Sequence, residues 1–132
     1  MRAEKVVAYL LSNDAGVTTI CGQKIWGGMA KQGAEPPLVV FAKGSGAIRR
    51  PYLDFTSQVV EAPIDVMCIG RTYQELKELA EAVRVALTNQ QGTIAGVTVV
   101  DTQYADEGPD EPIPELDQYA QVWSFTVVHV EP

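Results

Sequence analysis

Between Val60 and Leu87 the spacing of apolar residues changes once, and that change limits what the chain can become. From Gln58 to Ile69 the pattern alternates. Val60, Ala62, Ile64, Val66 and Cys68 fall on one face, and Glu61, Pro63 and Asp65 on the other, which is the period of a β-strand with one buried side. Past Gly70 the interval becomes three and four. Tyr73, Leu76, Ala80, Val83 and Leu87 recur at helical spacing, Leu79 and Ala86 widen the stripe, and Gln74, Glu75, Lys77, Glu78, Glu81 and Arg84 are left for solvent. Thr72 and Glu75 fit the capping box T-x-x-E, in which each side chain satisfies a backbone donor at the helix start. Gly92 is the predicted stop. Pro63 cannot donate a ladder hydrogen bond, so the strand is expected at a sheet edge or bulged there.

The remaining segments fill in around this unit. Arg2 to Leu11 place Val6, Val7, Leu10 and Leu11 at helical spacing, and Ser12-Asn13-Asp14 ends the run. Val17 to Ile20 adds a further helical turn stopped by Gly22, and Lys24-Ile25-Trp26 suggests a brief strand. Pro36-Pro37 introduces Leu38 to Ala42, an apolar strand partly covered on both faces. Lys43 to Pro51, rich in glycine and basic residues, reads as a mobile hairpin arm or loop. Val97 to Val100 and Tyr119 to Val130 read as strands. Between them Asp106 to Asp117 holds six acids and three prolines, a loop that can be neither helix nor central strand. With no repeat and no linker, one domain over residues 1–132 is expected. Its class is α+β: a mainly antiparallel β-sheet with two α-helices packed on one face.

Charge and motif content exclude several kinds of function. A net charge of −7 disfavours a protein that grips DNA by neutralising phosphates, which needs clustered Lys and Arg. The N-terminus carries an acid early and runs into an amphipathic helix, unlike a secretory leader, and no apolar run reaches the ~20 residues of a membrane span. Synthesis in the cytosol is expected. Cys21, Cys68 and His129 are the one set that resembles a nucleophile and base, but no third group is marked to orient the imidazole, and core packing is the favoured role. The same residues make a poor zinc set. Gly44-Ser45-Gly46 with Arg49-Arg50 lacks the Walker pattern, and the acidic loop lacks the EF-hand order of a calcium site. At Gly70-Arg71-Thr72 a helix N-terminus attracts anions, but Thr72 and Glu75 occupy its donors. No catalytic, cofactor or metal residue is predicted.

Several segments together resemble the small tail-completion proteins of long-tailed bacteriophages and prophages, also called tail terminators or head–tail joining proteins. The segments are Arg2 to Leu11, Ala15-Gly16-Val17, Gly22 to Trp26, Leu38 to Phe41 after a proline, Asp65 to Arg84 with its A-x-x-V-R pattern, and Trp123 to His129. The resemblance implies an α+β subunit without catalytic residues that forms a ring, usually a hexamer, capping the tail tube and facing the head connector. It implies residence at the virion head–tail junction after assembly in the bacterial host cytoplasm, with DNA only as passing cargo. The chain departs from the pattern in the doubly basic Gly44 to Pro51 and the long acidic Asp106 to Asp117.

Those two departures are the candidate subunit interface. Arg49, Arg50 and Tyr52 on one copy are expected to approach Asp106, Glu107, Asp110 and Glu111 of the next, because a ring needs complementary, non-identical surfaces. A head-closure or minor tail protein is the alternative within the same class. A cytosolic thiol enzyme and a non-viral adaptor domain are the alternatives outside it.

Overall fold

The computed structural model describes residues 2–44, 46–51 and 57–131. Its elements run α1 (Arg2–Ser12), α2 (Ala15–Cys21), β1 (Ile25–Gly27), β2 (Leu38–Lys43), β3 (Ile48–Pro51), β4 (Gln58–Gly70), α3 (Tyr73–Leu87), β5 (Gly92–Ile94), β6 (Val97–Glu107), β7 (Glu111–Ile113), a 3-10 turn (Pro114–Leu116) and β8 (Gln118–Glu131). None of the described helices is long and apolar enough to cross a membrane. The fold is α+β. One eight-stranded sheet has the order β1-β2-β4-β8-β6-β5, with β3 added to β4 and β7 to β8. Its pairings are antiparallel except β1 with β2.

The β4–β8 ladder is the spine, running from Gln58 opposite Glu131 to Gly70 opposite Tyr119. The predicted alternation of β4 holds: Val60, Ala62, Ile64, Val66 and Cys68 are all buried, with Trp123, Phe125 and Val127 of β8 beside them. Val6, Val7 and Leu11 of α1 and Leu76, Leu79 and Val83 of α3 complete this core. Each fully buried Leu or Val contributes roughly 1.5–3 kcal/mol relative to exposure, so these stripes hold the helices in place.

Where the structure departs from the sequence reading, local chemistry explains it. The expected two helices on one face become three helices. Asp14 ends α1 but also starts α2, its carboxylate accepting from the Val17 N–H at 3.1 Å, and α2 packs on α3 and α1. Gly22, at φ 62, closes α2. Tyr73 is half exposed instead of opening the buried stripe. Its hydroxyl donates to Asp110 at 2.7 Å and its ring meets Tyr119 edge-on. Helix α3 stops before Gly92, at a Thr88 cap followed by Asn89 at φ 57. Asn serves there as Gly often does.

Pro63 lies in a central strand, not at an edge. Its carbonyl accepts from the Gly44 N–H at 2.8 Å, and the N and C=O of one strand residue point to the same side. The missing N–H therefore faces the gap between the last pair of β2, Lys43 with Ile64, and the first of β3, Ile48 with Glu61. No ladder bond is lost. The segments read as loops are also partly ordered: β3 joins the sheet, β6 continues to Glu107 through two bulges, and Glu111–Ile113 and Pro114–Leu116 form a short strand and a 3-10 turn.

Candidate functional site

The fold separates charge. At one end of the sheet, the first turn of α1, the end of β2, β3 and the end of β8 enclose a cavity of about 300 Å³ lined by Arg2, Lys5, Lys43, Arg49, His129 and Glu131 among others. Arg49 donates to Glu131 at 2.6 Å and Arg2 pairs with the same carboxylate at 2.9 Å. Arg49 first, against the opposing effect of burial, and then Arg2 hold the Glu131 carboxyl below its ordinary value. These pairs are solvent-accessible and add at most ~1 kcal/mol each to stability.

Arg50 does not share this cavity. Arg49 registers with the inward-facing Val60, whereas Arg50 registers with Val59 and pairs with Glu61 at 3.6 Å on the other face. Tyr52 lies outside the described residues. His129 is 3% exposed and its Nδ1 has no hydrogen-bond partner among the described residues. Burial lowers its pKa from the ordinary 6.5, with Glu131 and then the Val130 backbone opposing and Arg2 and Arg49 assisting, so the neutral ring is favoured at pH 7.

The acids gather at the other end. Asp106 and Glu107 close β6 opposite Ser124 and Trp123, and Glu111 opens β7 opposite Ala120. Glu107 accepts from Gln121 at 3.2 Å, and Gln121 also donates to the Gly108 carbonyl at 2.9 Å. Asp110 is held by the Lys77 ammonium and the Tyr73 hydroxyl, which in that order keep its carboxyl below the ordinary value. The segment is fastened at Gly108, whose N–H bonds to the Val122 carbonyl at 2.7 Å. A Cβ there would stand 2.5 Å from that oxygen. Ala120 and His129 mark the two ends along β8, roughly 30 Å apart at ~3.3 Å per residue. Within one chain, Arg49 and Arg50 therefore do not meet Asp106, Glu107, Asp110 or Glu111.

The helix start and the thiols offer less chemistry. Thr72 accepts from the Glu75 N–H at 3.1 Å, and Glu75 accepts from the Arg71 N–H at 2.9 Å, one residue earlier than a standard capping box. Burial raises the Glu75 pKa, but the Arg71 amide and guanidinium outweigh it and leave the carboxyl lowered. Cys68 registers with Gln121 and His129 with Val60, about 26 Å apart along the ladder, so Cys68 and His129 do not come together. Burial first and Cys21 second push the Cys68 thiol up to about 12, and burial raises Cys21 as well. Among the described residues no group of three or more His, Cys, Asp or Glu is placed to hold a metal ion.

The sequence matches the family described as tail completion protein gp17 over residues 5–111, from the first turn of α1 to the first residue of β7. The chain belongs to that family. No curated protein matches it. Among solved structures, a chain of the virion of the native gene transfer agent (GTA) particle is similar, with TM-score 0.68 at 16% identity over 96% of this chain and 92% of that one. At that identity the likeness is one of fold.

The tail-completion match takes in Arg49, Arg50 and the acids from Asp106 to Glu111, but not β8 with His129 and Glu131. Sequence reasoning passed over Arg2, Lys43 and Glu131 and gave His129 no more than a packing role, because three separate elements, α1, β2 and β8, bring them together. One signal was present: seven of the ten basic residues precede position 51, and fourteen of the seventeen acids follow it. Such a division between halves points to charge-separated surfaces.

Proposed function

We propose that this tail-completion protein is a structural component of the phage tail that acts as one unit over residues 1–132 and closes on copies of itself into a homo-oligomeric ring, a hexamer. The ring caps the finished tail tube, joins it to the head connector at the virion head–tail junction, and forms in the host cytoplasm. Family membership supports the tail role, and the fold shared with a chain of a virion particle agrees with it.

The observation that carries the ring reading is the separation of the two charged ends along β8. A head-to-tail contact joins two different patches and closes when the rotation permits. Arg49 and Arg50 of β3, with Tyr52 close to them in sequence, are assigned to one patch, and Asp106, Glu107, Asp110 and Glu111 to the other. The net charge of −7 suits a channel that DNA crosses without sticking. Light scattering across a salt series tests this. Assembly is expected to weaken with salt and to fail in an Arg49→Glu, Arg50→Glu variant, and unchanged assembly of that variant would remove the charged ends from the interface.

A further inference from the structure

The cavity at the start of α1 holds more positive charge than its own acids neutralise. Arg2, Lys5, Lys43 and Arg49 line it with Glu4 and Glu131, four cations against two acids in a chain of net charge −7. Glu131 is shared by Arg2 and Arg49. Lys5 and Lys43 have no ion pair among the described residues. The first turn of α1, eleven residues long, adds N–H groups that no intrahelical carbonyl can reach and the positive end of the helix dipole.

A second, independent observation points to a ligand. His129 lines the same cavity, is 3% exposed and has an Nδ1 without a partner. Buried polar atoms are hydrogen-bonded in the great majority of cases, so this nitrogen wants a partner that the described residues do not provide.

We propose that the cavity is a seat for a carboxylate side chain from the acidic segment of a second copy of this chain, Asp106 or Glu111 being the group that enters. This rests on the ring reading and specifies its contact. Glu107 and Asp110 are engaged within their own chain by Gln121 and by Lys77 with Tyr73. Asp106 and Glu111 are exposed, and no partner is found for either among the described residues. A chain cannot fill its own seat across roughly 30 Å of β8. The volume, about 300 Å³, equals that of some ten waters at ~30 Å³ each, room for one or two carboxylate side chains. Glu4 and Glu131 in the lining favour a singly charged carboxylate over a doubly charged phosphate. Arg49 reaches the seat from β3, while Arg50 faces away from it.

The test uses full-length chains. Lys43→Cys protein is mixed with Asp106→Cys or Glu111→Cys protein and treated with a short bis-maleimide, the two native cysteines being buried. A crosslinked pair is expected with at least one acidic position and not with Glu78→Cys on the exposed side of α3. In parallel, a Lys5→Glu, Lys43→Glu variant with a normal melt is expected to associate roughly tenfold or more weakly, and to recover when mixed with Asp106→Lys, Glu111→Lys chains. Normal oligomers with no such crosslink and no effect of the lysine reversals overturn the seat and leave the ring standing. A chain that stays monomeric alone and on isolated tails overturns both.

Discussion

The Leu76 amide nitrogen stands 2.7 Å, and the Leu76 Cα 2.9 Å, from where a Cβ on Gly70 would lie. Backbone atoms cannot step aside as the tip of a flexible side chain can. Gly70 is absent from the positive-φ residues, so it serves the close approach of α3 to the end of β4, not a left-handed turn. Gly70→Ala is expected to cost about 1–3 kcal/mol, as overpacking does. At Gly44 a Cβ would find its neighbours at 3.4–3.5 Å, and Gly44→Ala should cost much less. Denaturant midpoints compare the two, and equal midpoints would contradict the close-approach account.

Thr72 caps α3 through its hydroxyl, the acceptor for the Glu75 N–H. Thr72→Ala should lower stability by about 1 kcal/mol, and Thr72→Ser should restore most of it. An unchanged denaturant slope would show that the change lies in the folded state's stability and not in its extent of burial.

His129 makes stability depend on pH in a definite window. Its folded-state pKa lies below the ordinary 6.5, so the unfolded chain binds a proton more readily than the folded one. Stability is complete above about pH 6.5 and is lost as pH falls from there toward the depressed folded value. The carboxyls of Glu75, Glu81, Asp110 and Glu131 are lowered from ordinary values of 3.8–4.5, so their contributions fade only at more acid pH. Melting temperatures from pH 7 to 5 should decline in the native chain and stay flatter in His129→Gln. Parallel declines would reassign the slope.

Cys21 and Cys68 are both buried, and Cys68 is pushed up to about 12. An alkylating reagent at pH 8 should label neither in the folded chain and both in denaturant, since the thiolate is the reactive form. Rapid labelling of folded Cys68 would restore thiol chemistry as a possibility.

Much of the scaffold was legible because its signals are local. The alternation of Val60 to Cys68 and the Thr72–Glu75 pair are written within a few residues of each other, and both appear in the structure. Pro63 was misjudged because its tolerance depends on Gly44, which reaches it from just past the end of β2. The acids of β6 and β7 hid strands because outer positions need no apolar alternation, and the hydrogen bonds that order them come from β8. The basic cavity was illegible for the same reason. Its residues come from α1, β2, β3, β4 and β8, and only the ladder register places Arg49 beside Val60 and Val60 beside His129.

The most direct measurement of the central claim is the mass of the native assembly, taken over a range of protein concentration and salt and on isolated tails. The account predicts one closed oligomer of fixed size, a hexamer, that loosens with salt, is lost in Arg49→Glu and returns when Arg49→Glu is mixed with Asp106→Lys, Glu111→Lys chains. A chain that remains monomeric under all of these conditions, or an open series of sizes untouched by the charge reversals, would contradict it.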